Sequence, residues 1–244
     1  MASWRPEVAL ATIRRMSFPD GTVTFLFTDI QGSTRLLQRL GDDYGRLVSQ
    51  HRRVMRETAA DAGGTEIDVQ GDAFMFTFVR ARDAVAGALG AQRRLAAESW
   101  PDDVEVRVRM GLHTGEPTLG EEGYLGLDVV RGARIAAAAH GGQVLLSETT
   151  RVLLPAVLPD GAEVVDLGQQ SLKDLDGPVR LYQLVAPGLA SDFPTPRTEV
   201  SAGHEEDLKR QISAFLESKL SSALEGFEVG KTDSGEWMLR RRRR

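Results

Sequence analysis

The sequence contains no cysteine and few aromatic residues, which make up 6% of its 244 positions. It can therefore form neither disulfides nor thiolate metal sites, which fits a reducing compartment. No apolar run approaches the roughly 20 residues of a membrane-spanning helix, and the net charge of -5 argues against general nucleic-acid binding. We therefore expect a cytoplasmic globular protein with no transmembrane segment and no nucleic acid as its partner.

The chain is long enough for one domain with appendages. Residues 1–20 lack the core of a signal peptide and are predicted to be a lead-in to a domain of residues 21–186. Residues 187–204 have the proline-rich, small and polar composition of a linker. Residues 205–244 contain an amphipathic helix, expected to dock on the domain, pair with a second copy or bind a partner protein. Their terminal arginines are predicted to be a solvated tail, with membrane-surface or nucleic-acid contact as the alternative.

Apolar periodicity predicts the order of the elements. A run rich in β-branched and aromatic residues predicts a strand over residues 22–30, and an apolar stripe from Leu36 to Met55 predicts a helix. A hairpin turning at Gly71 and Asp72, an alanine-rich helix and an alternating strand over residues 104–112 follow. This β-α-β-β-α-β order predicts an α+β fold with a ferredoxin-like βαββαβ core, an antiparallel sheet with helices on one face, and additional αβ elements.

Two aspartates indicate chemistry. Asp29 ends the first strand and Asp72 lies in the turn of the hairpin, so both carboxylates are expected at one end of a ferredoxin-like sheet. Oxygen ligands without histidine or cysteine suit Mg²⁺ or Mn²⁺ and leave positions open for phosphate oxygens. Gly32, Ser33 and Thr34 then enter a helix whose N-terminal amides can hold a triphosphate. The alternative is that Asp29 caps the helix and Asp72 is only a turn residue.

Six segments between about residues 21 and 185 resemble, in order and spacing, the catalytic domain of class III nucleotide cyclases, the adenylyl/guanylyl cyclase family. They are FLFTDIQGSTRL, VQGDAFMFTF, RMGLHTGE, GLDVVRGARI, GGQVLLS and LKDL. The resemblance implies a lyase that converts a nucleoside triphosphate, ATP or GTP, to a 3′,5′-cyclic nucleotide and pyrophosphate for intracellular signalling. It implies two Mg²⁺ or Mn²⁺ ions per active site, at Asp29, Ile30 and Asp72, and a homodimer whose active sites use both subunits.

The resemblance also assigns other positions, and the sequence departs from the family at one of them. Arg134 matches the transition-state arginine, which neutralises charge on the α-phosphate, although a solvated helix arginine is the alternative. Lys173 matches a triphosphate-binding lysine. The position of the ribose-orienting asparagine holds Val130, which cannot form that hydrogen bond.

The two base-reading positions depart as well. Asp68 replaces the family lysine that reads adenine, and Gly123 replaces its partner aspartate. An acidic residue takes the lysine position in guanine-specific relatives, so Asp68 can accept hydrogen bonds from guanine N1 and N2 or from another exocyclic amine. The alternatives are that Asp68 is a surface strand residue and that Glu121 or Glu122 serves in place of Gly123.

These departures leave three hypotheses. The first is a cyclase with slow turnover, because the loss of a positioning contact lowers rates steeply. The second is a cyclase-like module that binds nucleotide and signals through dimerisation or its C-terminal helix. The third is the same chemistry on a pyrimidine triphosphate.

Overall fold

The structure is a computed structural model that describes residues 18–120 and 123–198 and, for their backbone, residues 227–231 and 237–241. Its main sheet has seven strands in the order β2-β3-β1-β4-β7-β9-β8. The strands of the domain are β1 Val23–Ile30, β2 Thr65–Gln70, β3 Ala73–Phe78, β4 Val108–Gly115, β5 Thr118–Gly120, β6 Gly123–Leu125, β7 Val144–Ser147, β8 Glu163–Gln170 and β9 Val179–Val185. The helices are α1 Ser33–Leu40, α2 Tyr44–Asp61, α3 Ala81–Ala97, α4 Leu127–Ala138 and α5 Glu148–Val152.

The first half of the domain forms the predicted ferredoxin-like core. Strand β1 lies between β3 and β4 and is antiparallel to both, while β2 pairs with β3. Because side chains alternate along a strand, Leu26 and Ile30 of β1 face the apolar side chains of α2 and α3. Phe25 and Phe27 face the other way. The predicted α+β class and core are therefore confirmed.

The added elements extend the sheet and cover its second face. Strand β7 pairs with β4 in parallel, so the sheet is not wholly antiparallel as predicted. Helix α4 packs on the face opposite α2 and α3, so the prediction of helices on one face holds only for the core. Close approach requires glycine at two places, since a Cβ on Gly132 would lie 2.6 Å from the Phe27 ring, and one on Gly111 would lie 2.3 Å from the nitrogen of Ala136.

Several boundaries differ from those predicted. Gly41, with φ 53°, breaks the single predicted helix into α1 and α2. Strand β4 begins at Val108 rather than Val104, and its residues up to Thr114 are buried rather than half-exposed, because helices cover both sides of it. Strand β8 was not predicted. The predicted cap at Ser147 is present, since its side chain accepts a hydrogen bond from the amide of Thr150.

The termini carry predictions that the structure tests only in part. Most of the lead-in and the predicted amphipathic helix lie outside the described residues. In the predicted tail, β10 (Phe227–Lys231) and β11 (Trp237–Arg241) form an antiparallel hairpin that was not predicted. Within the part of the chain that the structure describes, no helix is long and apolar enough to cross a membrane.

Candidate active site

The backbone of two neighbouring elements brings Asp29 and Asp72 together. Strand β1 pairs with β3 so that Thr28 lies opposite Phe74, which places the β2–β3 turn beside the end of β1. There the amide of Ile30 donates a 2.9 Å hydrogen bond to Oδ2 of Asp72. The two carboxylates thus lie at one end of the sheet, on elements held by a strand ladder.

The carboxylate of Asp72 is buried and is repelled by the carboxylate of Asp29. Burial and the charge of Asp29 raise the pKa of Asp72 to about 6, against the opposing hydrogen bonds from the amides of Ile30 and Asp72. The side chain of Asp29 is 22% exposed, so the pair is open to solvent on its Asp29 side. A divalent cation between the two groups would remove this repulsion.

The donor set suits magnesium or manganese rather than a closed structural metal site. Among the described residues, no group of three or more histidine, cysteine, aspartate or glutamate side chains could hold a metal ion. Two carboxylates alone correspond to the way proteins hold Mg²⁺ that also binds substrate phosphates. The residues present therefore fit ions that are completed by a phosphorylated ligand.

Arg109 is a site residue that the sequence reasoning did not identify. It lies directly opposite Asp29 in the β1–β4 ladder, and its guanidinium forms an ion pair with Oδ2 of Asp29. Its side chain is only 2% exposed. Its place at the head of the segment RMGLHTGE was a signal, but the register that sets it against Asp29 cannot be read from the sequence.

The loop after Asp29 enters a helix as predicted. Gly32, with φ 72° in the left-handed region, is the N-cap of α1, which begins at Ser33. Its carbonyl accepts hydrogen bonds from the amides of Arg35 and Leu36. The residue before it, Gln31, accepts a 2.6 Å hydrogen bond on Oε1 from the amide of Gly141. Because Gly32 occupies the cap, the alternative in which Asp29 caps this helix does not hold.

Arg134 contacts the residue that follows Lys173. Arg134 lies on α4, is buried, and forms an ion pair with Asp174. Asp174 directly follows Lys173 in the β8–β9 connection, so the predicted catalytic arginine contacts the loop that contains the predicted phosphate-binding lysine. The alternative of a solvated arginine does not hold for Arg134.

The positions predicted to read ribose and base are also placed. Val130 is half-buried on α4, one turn before Arg134. Asp68 is half-buried on β2 and accepts a 3.1 Å hydrogen bond from the side chain of Gln70. Gly123 begins β6 with φ 130°, and a Cβ there would lie 3.9 Å from Ile67, the neighbour of Asp68. The two base-reading candidates are therefore close in space, whereas residues 121–122 lie outside the described part.

Comparisons with known proteins identify the family. Residues 17–186 match the model of the "Adenylate and Guanylate cyclase catalytic domain", so the chain belongs to this family. An uncharacterised protein of Mycobacterium tuberculosis is 39% identical over 186 residues, which cover 75% of this chain and 63% of that protein. An adenylate cyclase of Neurospora crassa is 27% identical over 251 residues, covering 80% of this chain but only 11% of that protein. The chain thus spans less than two thirds of these relatives.

Solved structures agree with the family assignment. An adenylate cyclase of Trypanosoma brucei, solved in its monomeric state, aligns with a TM-score of 0.63 and 26% identity over 75% of this chain and 97% of that one. The adenylyl cyclase CyaB of P. aeruginosa aligns with a TM-score of 0.59 and 26% identity over 68% of this chain and 94% of that one. The predicted membership of the class III cyclase family is confirmed.

Proposed function

We propose that the protein is a nucleotide cyclase that converts ATP or GTP to a 3′,5′-cyclic nucleotide and pyrophosphate. The observation that carries the proposal is the pair of Asp29 and Asp72, which the amide of Ile30 holds together. Burial and the charge of Asp29 raise the pKa of Asp72 in this pair. Carboxylates whose pKa is shifted by burial and a neighbouring like charge cluster at functional sites, and a cation between these two would remove their repulsion. A cytoplasmic location and a signalling role belong to the same proposal.

Asp29, Asp72 and the Ile30 position would hold two Mg²⁺ or Mn²⁺ ions. When bound, such ions supply charge neutralisation for the triphosphate and activation of the ribose 3′-hydroxyl. Arg109 contributes a fixed cation beside Asp29, where phosphate oxygens would lie. The amides at the start of α1 and the side chains of Ser33 and Thr34 would hold the phosphate chain from the other side.

Arg134 and Lys173 would complete the site of a second subunit. Both lie at the Asp174 loop, and the resemblance to class III cyclases implies a homodimer in which each active site uses residues of both subunits. Arg134 would then stabilise charge on the α-phosphate in the transition state. Val130, one turn earlier, would lie by the ribose without a polar group, so we expect slow turnover.

Asp68 is the base-reading candidate that best fits a purine. Its carboxylate is fixed by Gln70 and offers only acceptors, which suits the N1 and N2 donors of guanine or an exocyclic amine. Gly123 adds no side chain nearby, and among the described residues a Cβ there would meet only Ile67, at 3.9 Å.

The test is a cyclisation assay with each of the four nucleoside triphosphates, in Mg²⁺ or Mn²⁺. We expect cyclic product from ATP or GTP, with higher turnover in Mn²⁺, and none from Asp72→Ala. Product from a pyrimidine triphosphate alone would contradict the proposed substrate. No product at all, or equal product from Asp72→Ala, would overturn the proposal.

Val130 favours one second candidate, a module that binds nucleotide and responds by dimerising without turnover. This candidate predicts that a triphosphate with Mg²⁺ shifts the sedimentation coefficient from monomer to dimer while no product forms. A measurable turnover number in the same sample would exclude it.

A further inference from the structure

The segment of residues 187–198 is packed on the domain, although its composition predicts a linker. It contains no helix or strand, and it lies beyond residues 17–186 that match the family. Gln183 donates a 2.7 Å hydrogen bond from Nε2 to the carbonyl of Ser191. Further along, Nε2 of His140 lies 3.1 Å from the carbonyl of Thr195, and the amide of Arg197 donates a 2.9 Å hydrogen bond to the carbonyl of Ala138. The segment therefore has a defined course over the end of α4.

The loop that receives this segment also contacts the candidate active site. In that loop, the amide of Gly141 donates to Gln31, two residues after Asp29. The amide of Gly142 donates a 2.8 Å hydrogen bond to the carbonyl of Val108, the residue before Arg109. The turn of residues 139–142, which follows Ala138, thus connects this segment to the end of β1 and the start of β4, the strands that carry the Asp29–Arg109 ion pair.

The charge of Arg197 lies near that ion pair. The residue is half-buried. Burial and the like charge of Arg109 lower the pKa of the Arg197 guanidinium, whereas Asp29 raises it. The Arg197 guanidinium therefore lies within electrostatic reach of both Arg109 and Asp29. The charges of Arg109 and Arg197 balance those of Asp29 and Asp72, so cations bound at the aspartates would leave this edge of the site positive and favour an anionic ligand.

We propose that Arg197 binds the triphosphate of the nucleotide held at Asp29 and Asp72, as a substrate-binding residue supplied by the segment after the catalytic domain. The inference rests on the proposed function, because the phosphate chain must reach this end of the sheet. A guanidinium offers paired N–H donors that match phosphate oxygens, and its half-buried position strengthens each hydrogen bond. Residues 187–198, which follow the catalytic domain, would thus contribute one residue, Arg197, to nucleotide binding.

The experiment measures nucleotide affinity in the full chain without turnover. The probes are 3′-deoxy-ATP and 3′-deoxy-GTP, which lack the attacking hydroxyl, with the corresponding monophosphates, each titrated calorimetrically in Mg²⁺. Arg197→Ala is expected to weaken triphosphate binding about tenfold and to leave monophosphate binding nearly unchanged, because the lost contact is to the outer phosphates. Arg197→Lys should restore part of the affinity. Arg93→Ala is the control. It removes an arginine of α3 that is ion-paired with Asp160, and it should bind like wild type.

Each other outcome overturns the inference. Equal triphosphate affinity in wild type and in Arg197→Ala would show that Arg197 does not contact the ligand, and tighter binding would show that the segment obstructs the site instead. An equal loss for mono- and triphosphates would indicate a structural role. Should Arg197→Ala not fold, judged by thermal melting, Arg197→Lys carries the same comparison. Failure of the proposed function is distinct, because wild type itself would then bind neither triphosphate.

Discussion

The amide of Ile30 donates a 2.9 Å hydrogen bond to Oδ2 of Asp72, and this contact joins the end of β1 to the β2–β3 turn. Asp29, the preceding residue, is thereby held beside Asp72, because its neighbouring backbone amide binds the Asp72 carboxylate. The arrangement is unfavourable without a cation, because burial and the charge of Asp29 raise the pKa of Asp72 to about 6. The two carboxylates therefore repel each other at the place where the proposed ions would bind.

Asp72→Asn is expected to stabilise the metal-free protein. The pKa of Asp72 rises from 3.8 to about 6 on folding. The folded state thus binds the proton more tightly, so this carboxyl lowers stability as pH rises from 3.8 to about 6, and its cost is complete above pH 6. The neutral amide keeps an acceptor for Ile30 and should raise the free energy of unfolding at pH 7.5 by about 2 kcal/mol. Urea unfolding in a chelator measures this, and lower stability of the variant would contradict it.

The same variant tests cation binding without any assay of activity. Millimolar Mn²⁺ should raise the melting temperature of wild type, because a ligand that binds only the folded state stabilises it. Asp72→Asn should not respond, whereas Asp166→Asn, on an exposed ion pair with Arg180, should respond like wild type. An equal response in all three proteins would place the ion elsewhere.

Arg109→Met should destabilise the protein because it leaves Asp29 without its buried partner. Removing one member of a buried ion pair typically costs about 3–5 kcal/mol. Adding Asp29→Asn should recover part of the loss, since Asp72 then no longer faces a second carboxylate whose charge Arg109 had offset. Unfolding of the two single variants and the double variant gives the coupling energy of the pair. Additive effects would show that the pair contributes no coupling.

Sequence and structure agree where the signals are local. The apolar run that stops at Asp29 and the glycine turn before Asp72 predicted both carboxylates at one end of the sheet, because a hairpin strand pairs with its neighbour. Arg109 could not be predicted in this way, since the register of β1 against β4 joins residues 80 positions apart. Its alternation with Val108 and Met110 gave only the face on which it lies.

Composition misled at two further places, for physical reasons. The prolines of residues 187–198 predicted a linker, but the segment is held largely through backbone carbonyls and amides, which every residue type offers. Strand β8 was missed because its register with β9 shifts between Asp166 and Gln169 and most of its side chains are at least partly exposed. Neither face therefore shows the alternation that predicts a strand.

Val130→Asn tests the assignment of the ribose position. The amide would supply the hydrogen bond that valine cannot, and positioning gains are felt steeply in rate, so turnover should rise about tenfold with little change in KM. Val157→Asn, at a position 84% exposed, is the control and should leave both constants unchanged. Unchanged turnover with intact nucleotide affinity would show that Val130 does not face the ribose.

Gly111→Ala tests the packing of α4, which carries Arg134. The new Cβ would lie 2.3 Å from the nitrogen of Ala136, a backbone atom that can move only with the helix. Such overpacking should lower the free energy of unfolding by about 3 kcal/mol. Gly90→Ala, on α3, places its Cβ with no atom of the described residues within 4 Å and should raise the free energy of unfolding by about 0.5–1 kcal/mol through helix propensity. Equal effects of the two changes in urea unfolding would contradict this packing.

His51 should limit stability in acid. It is buried on α2 against the ring of Phe74, and among the described residues neither of its ring nitrogens has a hydrogen-bond partner. Burial, with a smaller effect of Arg52, lowers the pKa of His51 from 6.5 to about 4. The unfolded state therefore binds the proton first, and stability is lost as pH falls from 6.5 towards 4.

His51→Leu removes this proton linkage and keeps an apolar side chain of similar bulk. The stability difference between the variant and wild type should grow in favour of the variant by about 3 kcal/mol between pH 7 and pH 4. Taking the difference cancels the opposite contribution of Asp72, which is present in both proteins. The measurement is urea unfolding at half-unit pH steps. Parallel profiles would show that His51 becomes protonated in the folded protein as readily as in the unfolded chain.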